Sequence, residues 1–129
     1  MIDASALLEI MIGADPAQEL RHKVMTRELV APELALTEVL DVLRRRARLG
    51  HTGQRQADRA ARWLPQAPVV TAGHRAYLDR AWALRGSVTT YDALYIALAG
   101  RLDVPLITCD KKLAGSNGHQ VDIEVYPLP

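Results

Sequence analysis

The stretch TTYDALYIALAGRLDVPLITCDKKL, residues 89–113, constrains the fold more than any other part of the chain. Its first fourteen residues predict a helix opened by Thr89. A few residues later comes an apolar run, PLIT, that predicts a strand. Leu106, Ile107, Thr108 and Cys109 carry no charge and suit the middle of a sheet covered on both faces, as parallel sheets are. The run then stops on Asp110, with DKKLA predicted as one helical turn. A helix packed against a wholly buried strand is the repeating unit of α/β proteins.

The rest of the chain repeats that alternation. MID predicts a very short strand, ASALLEIMIG a helix ending at Gly13, and DPAQELRHKVMTRE a helix with Asp15 as N-cap and Pro16 at its first position. LVAP is a strand. ELALTEVLDVLRRRARLG spaces Leu36, Val39, Leu40, Leu43 and Ala47 as a helix face, with Gly50 as the stop. TGQRQADRAARWL is a helix ending near Pro65, APVVT a strand, GHRAYLDRAWALRG a helix closed by Gly86, and VDIEVYPL a last strand of alternating pattern. Strands alternating with helices imply a parallel sheet joined by right-handed crossovers. In such sheets the working crevice lies beyond the carboxyl ends of the strands. No repeat, linker or low-complexity tract divides residues 1–129, so a single domain is expected.

No apolar run approaches the roughly 18 residues of a membrane span, and no secretory leader is visible. The lone cysteine, Cys109, excludes an internal disulfide and fits a reducing cytoplasm. Its position inside the sheet makes it a packing residue. The net charge of +1 hides a pattern. Residues 1–43 hold eight acidic and three basic side chains, a net of −5; residues 44–85 hold ten arginines against Asp58 and Asp79, a net of +8; residues 86–129 carry a net of −2. A basic middle between acidic flanks is either a polyanion-binding rim beside a cation-binding centre or a pair of solvated helices.

The acids on the expected sheet edge decide the chemistry. Asp3 ends the first strand and Asp110 a later one. Asp92 lies in the first turn of the 89–102 helix, where Thr89 and Asp92 form a capping pattern and the helix dipole favours an acid by typically 0.3–1 kcal/mol. Taken singly, Asp92 and Asp110 read as caps more than as ligands. Glu38 is less expected among Leu36, Val39 and Leu40, although Asp41 at i+3 allows a polar stripe. Four carboxylates converging on one edge would repel one another unless a cation or protons held them together. Oxygen-only ligands favour hard divalent ions, Mg²⁺ or Mn²⁺, and such an ion activates water and offsets charge on a phosphodiester under attack.

Other chemistries fit worse. His22, His51, His74 and His119 lack zinc spacing. There is no Walker loop, dinucleotide fingerprint or nucleophile elbow. Asp3 is followed by Ala-Ser, so the Asp-x-Asp of phosphoaspartate enzymes is missing. Ser5 reads equally as a residue that orients Asp3 and as a plain helix cap, and Thr108 alternates with Asp110, which allows its hydroxyl to reach the same crevice. Trp63 and Trp82, on amphipathic helices, are expected in the core or an interface.

Four stretches, IDASALLE, LALTEVLDVLRR, TTYDALYIALAGRLDVPLITCDKKL and IEVYPL, resemble the PIN domain family over essentially the whole chain, and more narrowly VapC-type toxin ribonucleases of bacterial toxin–antitoxin pairs. That resemblance implies a three-layer α/β/α sandwich around a parallel sheet of four to five short strands. It implies Asp3, Glu38, Asp92 and Asp110 as the acids holding Mg²⁺ or Mn²⁺, with Thr108 beside them. It further implies metal-dependent cleavage of RNA by a cytoplasmic homodimer, and an antitoxin whose terminal segment blocks the acidic cleft. Arg44, Arg45, Arg46, Arg48, Arg55 and Arg59 become the candidate contacts to the RNA backbone. A binding module that uses the same acids to grip a basic peptide is the alternative, and the complete acidic set argues against it. One departure is clear: only Met1 and Ile2 precede Asp3 where relatives have several apolar residues. Such a strand is expected to be poorly anchored, and the native start is expected upstream.

Overall fold

The computed structural model describes residues 1–13 and 16–128. Its elements run α1 (Ala4–Ile12), α2 (Gln18–Thr26), β1 (Leu29–Pro32), α3 (Leu34–Arg48), α4 (Gln54–Trp63), β2 (Val69–Ala72), α5 (Leu78–Ala83), α6 (Thr90–Leu102), β3 (Leu106–Thr108), α7 (Lys111–Ala114) and β4 (Ile123–Val125). Two parallel ladders form. β1 pairs β2 from Leu29–Val69 to Pro32–Ala72, and β3 pairs β4 from Leu106–Ile123 to Thr108–Val125.

Residues 1–3 join the two ladders. On one side the Ile2 N–H donates to the Val30 carbonyl at 3.0 Å. On the other, the Asp3 N–H donates to Ile107 O at 3.0 Å and the Ile107 N–H to Met1 O at 2.8 Å, with Ile2 and Ile107 in a parallel bridge. The lateral order is therefore β2, β1, residues 1–3, β3, β4. This corrects the expectation of weak anchoring. Backbone hydrogen bonds hold the short segment on both sides, and the Ile2 side chain is fully buried. From it the strands lead away in opposite directions, which makes its carboxyl end the switch point where α/β sheets open a crevice. Asp3 stands there.

α1, α3 and α4 pack as one group and α5 with α6 as another, while α1 and α6 both meet β3. The expected layered α/β arrangement is thus present, with short strands. In α6 every residue from Ala93 to Ala99 is buried, the mark of a helix enclosed on all sides. Its end falls as predicted, at Leu102, with Asp103 taking a left-handed conformation (φ 52°) that aspartate tolerates. α3 stops as Gly50 requires. Gly50 (φ 75°) donates to Ala47 O and His51 to Arg46 O, the paired bonds of a Schellman motif. α3 begins less predictably, because His74 Nε2, from beyond β2, accepts the Leu34 N–H at 3.2 Å.

Several boundaries differ from expectation. The predicted N-cap Asp15 lies outside the described residues, and Pro16 precedes rather than opens α2, whose N-cap is Ala17. The helix expected over residues 73–86 is broken into a 3₁₀ turn (Arg75–Tyr77) and the six-residue α5. Tyr77 leaves helical geometry there (φ −128°), is buried, and donates from its hydroxyl to Ala72 O. β4 is shorter than the predicted run because its partner β3 has three residues; flanking bonds at Asp122 and Tyr126 close the ladder before Pro127. Trp63 and Trp82 are not core residues: they are 41% and 68% exposed. The inward positions of α4 and α5 belong to Ala57, Ala60 and Ala81, which let those helices approach closely and turn the indoles outward. Among the described residues no helix is long and apolar enough to cross a membrane.

Candidate functional site

Asp3 is built into the fold from three directions. As N-cap of α1, its Oδ1 accepts the Ala6 N–H at 3.0 Å and the Ser5 hydroxyl at 2.6 Å. Its Oδ2 accepts the Thr108 hydroxyl. Each hydroxyl also takes a backbone N–H from the end of β3, Cys109 to Ser5 Oγ and Asp110 to Thr108 Oγ1, both at 2.9 Å. The two side chains therefore lock the end of β3 to the end of the first strand, and their protons point at one carboxylate. Asp3 is 6% exposed and Thr108 fully buried. Ser5 and Thr108, expected near Asp3, both donate hydrogen bonds to its carboxylate.

The other three acids arrive on separate elements. Asp92 sits in the first turn of α6, where its N–H donates to Thr89 Oγ1 at 3.3 Å. Thr89 does the capping, which leaves the Asp92 carboxylate for other work. Asp110 caps α7 through Oδ1, which accepts the Lys112 N–H at 2.9 Å. Glu38, in the second turn of α3, accepts the Tyr95 hydroxyl on Oε1 at 2.6 Å. All four acids line one cavity of about 770 Å³. By contrast Asp41, the neighbour that made a polar stripe plausible, faces solvent and pairs with Arg44 and Arg45.

The electrostatics follow from this crowding. Burial above all raises the Asp3, Glu38 and Asp92 carboxyls above their ordinary range. Hydrogen bonds from Ser5, Thr108 and Ala6 oppose the rise at Asp3, while the Asp92 charge adds to it. At Glu38 the Tyr95 hydroxyl opposes, and Asp92 and Asp3 add. The Asp110 charge raises Asp92, against the Thr89 hydroxyl. Burial and then the Glu38 carboxylate push the Tyr95 phenol far above its usual range, so it remains a hydrogen-bond donor. The four acids thus sense one another, and among the described residues no lysine or arginine forms an ion pair with any of them. Nor, among the described residues, are three or more carboxylate, histidine or cysteine side chains already drawn close enough to coordinate an ion. The donor set suits a hard divalent cation: oxygen ligands only, mutually repelling and without a cationic partner.

Of the six arginines singled out in the sequence, Arg46 lines this cavity, its Nε donating to the buried Thr52 hydroxyl at 2.9 Å. Arg44 and Arg45 are engaged with Asp41, and Arg48, Arg55 and Arg59 are exposed and not part of the lining. Tyr95 was missed in the sequence reading, although it lies one turn beyond Asp92 on the same face of α6. Glu9, His51 and Gln56, which also line the cavity, carried no spacing signal of their own. Cys109 is packed as expected, and burial pushes its thiol up to about 11, so it is a protonated thiol at neutral pH.

Comparisons with known proteins converge on one kind of molecule. The PIN domain family model matches residues 1–115. Ribonuclease VapC1 of Mycobacterium tuberculosis is 34% identical over 127 residues, covering 97% of this chain and 96% of the relative. Among solved structures, Mycobacterium tuberculosis VapC20, described as a toxin cleaving the sarcin–ricin loop, superposes with a TM-score of 0.65 at 17% identity, covering 90% of this chain and 95% of that one. A chain of a toxin–antitoxin complex from Klebsiella pneumoniae gives a TM-score of 0.62 at 21% identity, covering 88% and 89%.

Proposed function

Since the chain belongs to the PIN domain family, in its VapC ribonuclease branch, we propose that it is a metal-dependent endoribonuclease acting as the toxin of a toxin–antitoxin pair. The observation that carries this reading is the convergence of Asp3, Glu38, Asp92 and Asp110, from four distant parts of the chain, on one cavity, with none of them in an ion pair with a lysine or arginine among the described residues. Those four residues would hold Mg²⁺ or Mn²⁺. Such an ion, when bound, supplies Lewis-acid activation of water and offsets charge on the scissile phosphate.

The chain's own groups do the positioning. Ser5 and Thr108 fix the Asp3 carboxylate against β3, and Tyr95 fixes Glu38 against α6. Asp92 and Asp110 are half-buried and open to solvent. Arg46, held by Thr52, places a cation on the cavity wall where a polyanionic strand would enter. The Cys109 thiol is protonated and buried, and so is not poised as a nucleophile. The homodimer and the cognate antitoxin implied by the family belong to the same reading.

The test is incubation of the purified protein with total bacterial RNA in Mg²⁺, in Mn²⁺ and in EDTA, followed by sequencing of RNA ends. Discrete cleavage sites with either ion and intact RNA in EDTA are expected. Intact RNA under all conditions would leave the peptide-binding module as the better account, and cleavage in EDTA would remove the metal.

A further inference from the structure

The acid cavity has a neighbour. A second cavity, of about 500 Å³, shares Asp92 and Asp110 with it and extends away past Ser87 and Thr89 to Arg85 and Lys112. The two acids are therefore a common wall, with Arg46 on one side and two more cations on the other. Among the described residues neither Arg85 nor Lys112 forms an ion pair with a carboxylate.

Arg85 is held in an unusual way for an exposed side chain. Its Nη1 donates to the Trp82 carbonyl at 3.1 Å, and its guanidinium carbon lies 4.6 Å from the centre of the Trp82 ring. A cation over an indole face is attracted by the ring quadrupole even at an exposed site. That is enough to bias where the guanidinium stands without using up its other N–H donors. This also accounts for a tryptophan left largely in water, outside the core.

We propose that the second cavity is the subsite for the nucleotide adjoining the scissile phosphate of the RNA. Arg85 and Lys112 contact its phosphate, and Trp82 is a positioning residue that keeps the Arg85 guanidinium at the rim. This rests on the endoribonuclease reading above. A strand laid across Asp92 and Asp110 brings phosphates to both sides of the acids, and the cations stand on both sides. The proposed occupant is a single strand, held through its phosphates along a charged groove.

The test is binding of a fluorescein-labelled, mixed-sequence single-stranded RNA of twenty nucleotides by fluorescence anisotropy. It is run in Mg²⁺ over a range of salt concentrations, in an Asp92→Asn background so that the strand survives. Arg85→Ala and Lys112→Ala are each expected to raise Kd about fivefold to tenfold. Each should lower the slope of log affinity against log salt by about 0.7, the value for one phosphate contact on a single strand. Arg85→Lys should restore the slope. Trp82→Ala should weaken binding by a smaller factor with the slope unchanged, because no charge is lost. Binding and slope unchanged in both Arg85→Ala and Lys112→Ala overturns the subsite. Failure of the unaltered protein to cleave any RNA would instead overturn the reading on which the subsite rests.

Discussion

Replacing Asp92 with asparagine is expected to reduce RNA cleavage at least about 100-fold while the protein stays folded. Losing one group that stabilises charge in a transition state costs about 3 kcal/mol, and each 1.36 kcal/mol is about tenfold in rate. Asp92 is the informative choice because its structural duties are light. Thr89 caps α6, and the Asp92 side chain adds only the helix-dipole term of about 0.3–1 kcal/mol. Losing that is offset by relief of repulsion from Asp110. Asp3 would be a poor substitute. An amide at Asp3 would aim a donor at either the Ser5 or the Thr108 hydroxyl, each of which already donates to Asp3. A loss of cleavage there would mix chemistry with stability. Activity within a few-fold of normal in Asp92→Asn, with unchanged circular dichroism, would take Asp92 out of the mechanism.

A second large effect concerns stability and its dependence on pH and metal. The carboxyls of Asp3, Glu38 and Asp92 are raised in the folded state, so the folded protein binds protons more tightly than the unfolded chain. Where the folded state holds more protons, stability falls as pH rises. The stabilising protonation is fully present below the ordinary carboxylate range near pH 4. It is lost as pH climbs through the raised folded values, leaving the metal-free protein strained at neutral pH. A divalent ion should relieve this. At about 100 times its Kd, a ligand specific for the folded state adds about 2.7 kcal/mol, or roughly 10 °C in a domain of this size. Thermal melts should therefore show a large upward shift with Mg²⁺ or Mn²⁺ at pH 7 and a smaller one at pH 4.5, where protons compete with the ion for the raised carboxyls of Asp3, Glu38 and Asp92. Asp92→Asn should melt higher than the parent without metal and gain little from it. Equal metal shifts at both pH values would contradict a carboxylate site.

How legible all this was in the sequence depended on the range of the interaction. α6 and β3 were readable because helix caps, apolar runs and the left-handed stop at Asp103 act within a few residues of one another. The order of the acids along the chain was readable for the same reason, since Asp3 and Asp110 each close a predicted strand. What escaped were partners distant in the chain. The Tyr95–Glu38 hydrogen bond spans 57 residues, and the His74 cap of α3 spans 40. The anchoring of residues 1–3 depends on Val30 and Ile107, so a two-residue apolar prefix looked weaker than it is. The arginine block could not be resolved by composition either. Facing is decided by helix phase, which puts Arg46 on the cavity side and leaves Arg44 and Arg45 to Asp41, while the Schellman turn at Gly50 brings Thr52 back to Arg46. For Trp82 the choice between core and interface was not legible, because helix amphipathicity does not reveal that Ala81 has taken the inward face.

The most direct measurement is anomalous diffraction from crystals soaked in Mn²⁺. A Mn²⁺ peak is predicted inside the acid cavity, at coordination distance of about 2 Å from at least two of Asp3, Glu38, Asp92 and Asp110. A cavity empty of metal at saturating Mn²⁺, in a protein that still cleaves RNA, would contradict the account.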